Sequence, residues 1–315
     1  MKIKGLVILI MSMVTLGCDP VNAQDKVYAA YMENEWYSEV KSITANPSTG
    51  ATTGNFGNSM TVQTTAAIGY GVYNGTGYIV SLQYTTDDHV DIYARKADGT
   101  GSNTKIMNNA VIATTNVDLD YVRLGIDHNG IGWIVSKRSS NNTLYIASFT
   151  WNGSLSNPAV NVTKRGTLNT NDNTNSIFVN GDLAVASNTL FILANNGSGS
   201  TKIYTLPLST IINANSTSTN TIISKWNLKD ASGNNFTGSV NGFAFASTGS
   251  AYLSTSGGLY FIDQNTTNFS GTGTVKCTLV KSDSDITDLA TGYWPTTTTL
   301  PVKIHSVKVT LYKGN

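Results

Sequence analysis

Three aspartates fall where a repeated β-protein would bring side chains together. Asp127, Asp182 and Asp288 each lie at or next to a short segment rich in small and aliphatic residues. Cleavage of a glycosidic bond needs two carboxylates roughly 5 to 10 Å apart across a cleft, and these three are the candidates for it. Each also has a plainer role. Asp127 and Asp182 suit turn caps that bond backbone amides, and Asp288 suits the ordering of a last strand. The plainer roles are preferred, so no residue is assigned as catalytic. Further acids lie in loops. Asp118 and Asp120 precede one small-residue segment, Asp283 and Asp285 another, and Asp87, Asp88 and His89 stand together between two strands. With Tyr121 they define the expected ligand-binding face. Clustered carboxylates suit Ca²⁺, but no Asp-x-Asp-x-Asp-Gly loop is present, so no metal and no cofactor is assigned.

Other chemistries lack their residues. His89, His128 and His305 have no metal-ligand spacing, and a zinc site needs three or four convergent ligands. No Gly-x-Ser-x-Gly nucleophile and no phosphate-binding glycine loop occurs. Cys277 has no partner beyond Cys18 in the leader, which excludes a disulfide framework. It reads as a small buried residue rather than a reactive thiol.

The elements that would position these residues come from a repeat. Asn74-Gly75-Thr76-Gly77-Tyr78, Asn129-Gly130-Ile131-Gly132-Trp133, Ser187-Asn188-Thr189-Leu190-Phe191 and Ser247-Thr248-Gly249-Ser250-Ala251-Tyr252 share one layout, a turn followed by an aromatic strand. Their aromatics recur at about 55 to 61 residues. A second strand follows with Tyr93, Tyr145, Tyr204 or Tyr260, then an outer strand (106–113, 159–164, 221–228, 274–280). A strand of small residues precedes each turn (67–73, 122–127, 183–186, 242–246). Four hairpin-connected strands per repeat is the composition of a propeller blade. Residues 27–32, 36–43 and 59–64 supply the last three strands of a blade, and residues 286–292 supply a lone inner one. The expected fold is therefore all-β, a β-propeller of about five four-stranded blades, closed by pairing the C-terminal inner strand with the N-terminal blade. Arg95-Lys96, Lys137-Arg138 and Lys164-Arg165 read as protection of edge strands.

Residues 1–23 carry Lys2 and Lys4 and then an uncharged apolar run over 5–17, which reads as a secretory signal. Cleavage after Ala23 and lipid attachment at Cys18, within Leu16-Gly17-Cys18, both remain open. Removing Lys2 and Lys4 from 20 basic residues and Asp19 from 19 acidic ones leaves 18 of each. A neutral chain argues against nucleic acid, which needs a basic stripe. It leaves membrane contact only through a lipid at Cys18.

The later repeats, Gly242-Phe243-Ala244-Phe245, Gly258-Leu259-Tyr260-Phe261-Ile262-Asp263 and Asp288-Leu289-Ala290-Thr291, resemble the propeller repeats of secreted Bacteroidetes surface proteins. Leu300-Pro301-Val302 is similar to the opening of the C-terminal modules of that group. The resemblance implies a propeller over 24–295, a linker and C-terminal strand over 296–315, and an exported location. Together these features favour a non-enzymatic binding or scaffolding propeller with a protein or polysaccharide ligand. The alternatives are a carbohydrate-active enzyme using axial carboxylates, and a structural fragment of a longer surface or adhesion protein. Export predicts that the recovered protein begins at Cys18 or Gln24, read by mass spectrometry of its N-terminal peptide. A retained Met1 would overturn it.

Overall fold

In the computed structural model the described residues are 24–34, 37–63, 67–114, 117–139, 143–170, 180–195, 200–263 and 272–295. The fold is all-β, with one short helix, Leu208–Ile211, among the described residues. The lipid site expected at Cys18 and the expected tail over 296–315 lie outside them.

The strands come in groups of four. Strands β1 (Asp25–Met32), β2 (Tyr37–Ala45) and β3 (Thr52–Gln63) pair antiparallel in order. Next come β4 (Ala67–Tyr73), β5 (Thr76–Tyr84), β6 (His89–Lys96) and β7 (Thr104–Val111). A third meander holds β8 (Leu119–Ile126), β9 (Gly132–Arg138), β10 (Leu144–Trp151) and β11 (Val160–Thr170). The fourth holds β12 (Asn180–Ala186), β13 (Thr189–Asn195), β14 (Thr201–Pro207) and β15 (Thr219–Lys229). The fifth holds β16 (Val240–Phe245), β17 (Ala251–Thr255), β18 (Gly258–Ile262) and β19 (Gly273–Ser282). The last strand, β20 (Ile286–Thr291), pairs antiparallel with β1, setting Asp288 opposite Ala30 and Thr291 opposite Val27. It completes the N-terminal group as β20-β1-β2-β3.

Local chemistry explains the hairpins. Asn74 and Gly75 have φ of 50° and 75°, and Ser187 and Asn188 have 46° and 57°. Each pair forms a two-residue loop, closing Tyr73 on Thr76 and Ala186 on Thr189. Positive φ at both loop positions matches the right-handed twist of the flanking strands.

The first strands of the groups pack on one another in a circle: β4 on β8, β8 on β12, β12 on β16, β16 on β20, and β20 on β4. Each seam between neighbouring groups is filled by its own hydrophobic cluster. The repeat aromatics Tyr78, Trp133, Phe191 and Tyr252 are all buried in these seams. Tyr73, Tyr78 and Trp151 form one aromatic trio, with Trp151 4.6 Å from Tyr73 and 5.1 Å from Tyr78 between ring centroids. At the circle, backbone approaches backbone. A Cβ added to Gly125 would meet Leu183 Cδ1 at 2.4 Å, and one added to Gly242 would meet the Leu289 amide nitrogen at 2.5 Å.

Two expectations are corrected. The outer strands do not all stand as edges, because β15 pairs in parallel with both β11 and β19 and fuses three groups into a 12-stranded sheet. Among the described residues no sheet closes on itself. The basic pairs, moreover, are not simple edge guards. Lys137 is buried in β9, between β8 and β10. Arg95 donates to the carbonyls of Thr61 and Gly99, and Arg165 to those of Ile212 and Ala214. Arg95 and Arg165 serve as ties because a long side chain reaches backbone carbonyls of other segments.

Gly242→Ala is expected to destabilise the fold by about 1–3 kcal/mol, since the methyl group has no room at the circle. Gly57→Ala, whose Cβ would meet no atom closer than 4.0 Å, is the control. Equal urea midpoints for the two variants would refute this packing.

Candidate functional site

The site is built by the leading ends of the first strands. Asp182 and Asp288 are each the third residue of their strands, β12 and β20. Both side chains are enclosed, at 0% and 1% exposure. Asp182 Oδ2 accepts a hydrogen bond from the Phe243 amide at 2.6 Å, across to β16. Asp288 Oδ2 accepts one from the Ile68 amide at 2.6 Å, across to β4, and its Oδ1 accepts from the Leu289 amide at 2.8 Å. The two carboxyl groups also hydrogen-bond each other.

Arg123 of β8 stands beside them. Its Nε donates to the Gly181 carbonyl at 2.8 Å and its Nη1 to Val122 at 3.1 Å. The guanidinium lies 5.1 Å over the ring of Tyr121, a favourable position for a cation on an aromatic face. Tyr121 Oη donates to Asn180 Oδ1 at 2.9 Å, and Asn180 Nδ2 donates to Ser239 Oγ at 3.3 Å. Lys137 approaches the same Tyr121 ring at 5.9 Å. The carboxyl pair therefore sits beneath a polar rim.

Burial sets the protonation of the pair. Enclosure disfavours charge and, with the Asp288 charge, holds the Asp182 carboxyl well above the usual range, while Arg123 opposes this. Enclosure likewise pushes Asp288 up to about 6, against Arg123 and the hydrogen bonds from Asp182 and the two backbone amides. The two carboxyl groups act on each other, so they titrate as one unit. Below them the axial space is narrow, about 30 Å³ between Ile68, Leu124, Leu183, Phe243 and Leu289, comparable to one water. Trp294 lines it and donates from Nε1 to the Ile126 carbonyl at 2.6 Å.

The third candidate acid is elsewhere. Asp127 follows the last residue of β8, where Oδ1 accepts from the amides of Asn129 and Ile131 at 2.9 and 3.0 Å and Oδ2 from Trp133 Nε1 at 3.2 Å. It anchors its turn and does not join the pair. Asp182, in contrast, ties two first strands rather than capping a turn.

The loop acids divide into patches. Asp88 is buried and pairs with His89 through Oδ1 and Nδ1 at 2.9 Å, while Asp87 is exposed with φ of 44°. Asp118 Oδ1 accepts from Tyr84 Oη at 3.1 Å, which brings the 87–89 loop towards it. The Asp120 side chain lies outside the described residues. On another side, Asp283 faces Tyr31, and Asp285 is exposed with φ of 68°. Among the described residues no three His, Cys, Asp or Glu side chains group to hold a metal ion. Cys277 is buried, donates to the Lys229 carbonyl at 3.4 Å, and has its thiol pushed up to about 12 by burial.

Arg123 was absent from the residues singled out in the sequence. A charged side chain within Val122-Arg123-Leu124, in a strand otherwise small and aliphatic, is the signal that marks it.

No protein-family model matches the chain, and no curated protein matches it. Among solved structures the chain is similar to the α-L-arabinanase of Penicillium chrysogenum, in complex with arabinobiose. The two share 14% identity with a TM-score of 0.41, over 85% of this chain and 88% of that one. At this distance no residue is carried across. The expectation of a non-enzymatic binding or scaffolding protein is corrected here. Two of the candidate carboxylates, Asp182 and Asp288, meet instead of scattering among separate turns.

The pair makes stability depend on pH. An unfolded aspartate ionises near pH 4, whereas folded Asp288 keeps its proton to about 6. The folded protein binds the extra proton in that window, so stability present below about pH 4 is lost as pH rises through about 6. The melting temperature is expected to fall across this window more steeply in wild type than in Asp288→Asn. Identical pH profiles for the two proteins would refute a buried proton.

Proposed function

We propose that the chain is a five-bladed β-propeller acting as a carbohydrate-active enzyme, with the Asp182–Asp288 pair as its proton-handling centre. The propeller reading is supported by five four-stranded groups, five hydrophobic seams and a circle of first strands in which β20 returns to β4.

The observation that carries the functional reading is the acid pair itself. Joining two strands needs no carboxyl group, and an amide side chain would make the same bond without the penalty of enclosing an ionisable acid. Strongly shifted acids gathered at one point are a mark of functional sites. Asp288, pushed up to about 6, can release or take a proton near neutral pH, as general acid–base chemistry requires. Asp182 and Asp288 are hydrogen-bonded to each other, closer than the roughly 5–10 Å between carboxylates that act separately on a glycosidic bond. They therefore work as a single unit: Asp182 tunes Asp288, which passes its proton to the glycosidic oxygen by way of an intervening water, while a second water adds to the sugar as that bond breaks. Arg123 supports the ionised state of the unit. Trp294 lines the axial space, and the polar side chains of Tyr121 and Asn180 mark the leading end as the side from which substrate approaches. The signal-like N-terminal segment supports action outside the cytoplasm.

The test is product analysis on a panel of polysaccharides that includes arabinan. Wild type is expected to release oligosaccharides, and Asp288→Asn to reduce the rate by about 10²–10⁴-fold while keeping the β-sheet circular dichroism spectrum. A folded wild type that releases nothing from the whole panel, or an Asp288→Asn variant of full activity, would overturn the proposal.

A further inference from the structure

The hairpin of β1 and β2 projects past the start of β20, on the side of the molecule where the first strands begin. Tyr31 stands opposite Ile286, the first residue of β20, and Met32 and Tyr37 lie beyond it. Polar bonds fix the turn. Asn34 Oδ1 accepts from the Tyr37 amide at 3.0 Å, and the Tyr37 carbonyl accepts from the amides of Glu33 and Asn34 at 3.0 and 3.3 Å. The position of Tyr37 is therefore set before any ligand arrives.

Tyr37 carries a ring that the fold does not use. It is 42% exposed, and among the described residues its hydroxyl has no hydrogen-bond partner and its ring no aromatic neighbour. Ser38 and Val40 of the same strand are buried, so Tyr37 and Glu39 lie on the opposite, outer face. Across the β2–β3 ladder Gln63 stands directly opposite Tyr37, and such a pair holds its Cβ atoms about 5 Å apart on one face. Ring and amide thus lie side by side. The C–H face of a sugar suits the ring, and its hydroxyls suit an amide that both donates and accepts. The local charge is not cationic. Glu39 is paired with Lys41 at 2.7 Å, and Glu33 on the turn is exposed, with no ion pair among the described residues. A polyanion gains nothing here.

We propose that Tyr37 and Gln63 form a surface subsite for one unit of an uncharged polysaccharide. The proposal rests on the carbohydrate-active reading and narrows its substrate class to neutral polymers. Asp288 lies opposite Ala30 and Ala30 opposite Val40. Tyr37 is thus two strands across from Asp288 and three residues further along, about 14 Å away by strand spacing. The subsite holds polymer at the surface, takes no part in the chemistry and needs no opening to the acid pair.

Calorimetric titration of the full-length wild type and of Asp288→Asn tests it, with arabinohexaose and cellohexaose as uncharged probes and hexagalacturonate as the charged one. At least one uncharged probe is expected to bind, and more tightly than hexagalacturonate. Tyr37→Ala is expected to weaken that binding about three- to tenfold, the range of aromatic contacts. Tyr37→Phe, which keeps the ring, is expected to retain it, and Gln63→Ala to weaken it about threefold through the lost hydrogen bond. An exposed ring without partners is not needed for folding, so the circular dichroism spectrum should not change. No binding of either uncharged probe, binding of hexagalacturonate at equal strength, or an unchanged affinity in Tyr37→Ala would each overturn the proposal. Binding that depends on Tyr37 in a chain that cleaves nothing would refute the enzymatic reading and leave the subsite standing. Cleavage with unchanged binding in Tyr37→Ala would do the reverse.

Discussion

Five strands meeting around one axis leave no room for side chains between their backbones. Gly125 lies against Leu183 and Gly242 against the Leu289 amide, each closer than any Cβ could approach. This crowding sets the gradient of residue size across every group. Glycine and alanine occupy the first strands, while Trp133, Phe191 and Tyr252 fill the wider seams farther out. Close packing of this kind tolerates little change in volume, so the register of each first strand is fixed by its neighbours on both sides.

The same crowding explains the placement of the two acids. A first-strand amide that points at a neighbouring strand needs an acceptor, and Asp182 and Asp288 provide one for Phe243 and Ile68. Because they are buried, the carboxyl groups resist ionisation and titrate together. The groups that join the strands are thus the groups whose acidity is altered, and structure and candidate chemistry reside in the same atoms.

The seam between the N-terminal group and the β4–β7 group differs from the others. Among the described residues its hydrophobic cluster is the smallest of the five, and polar contacts supplement it. Tyr28 stacks on Tyr70 with centroids 5.7 Å apart and its hydroxyl donates to the Ala97 carbonyl. Ser81 Oγ donates to the Gln63 carbonyl, and Asp288 crosses to Ile68. Residues from both chain ends, Tyr28 and Asp288 among them, therefore contribute to this seam. Directional bonds specify its register where apolar area is limited.

Much of the architecture was legible in residue types. The turn pairs Asn74-Gly75 and Ser187-Asn188 announce hairpins because few residues tolerate positive φ, and the recurring aromatics announce the repeat. The lone segment around Asp288 and the incomplete N-terminal set were complementary in the sequence itself. The site was less legible. Asp127 and Asp182 look alike in sequence, each an acid beside an aliphatic strand, yet one anchors a turn and the other meets Asp288 across 106 positions of chain. Lys137 looked like an edge residue until its strand was found between two others. By itself the sequence determined which segments are strands, how they turn and that their ends must join, because these follow from local φ preferences and side-chain periodicity. Only the tertiary structure decided which acids meet and which keep their protons, because proximity and burial depend on how distant strands pack around the axis.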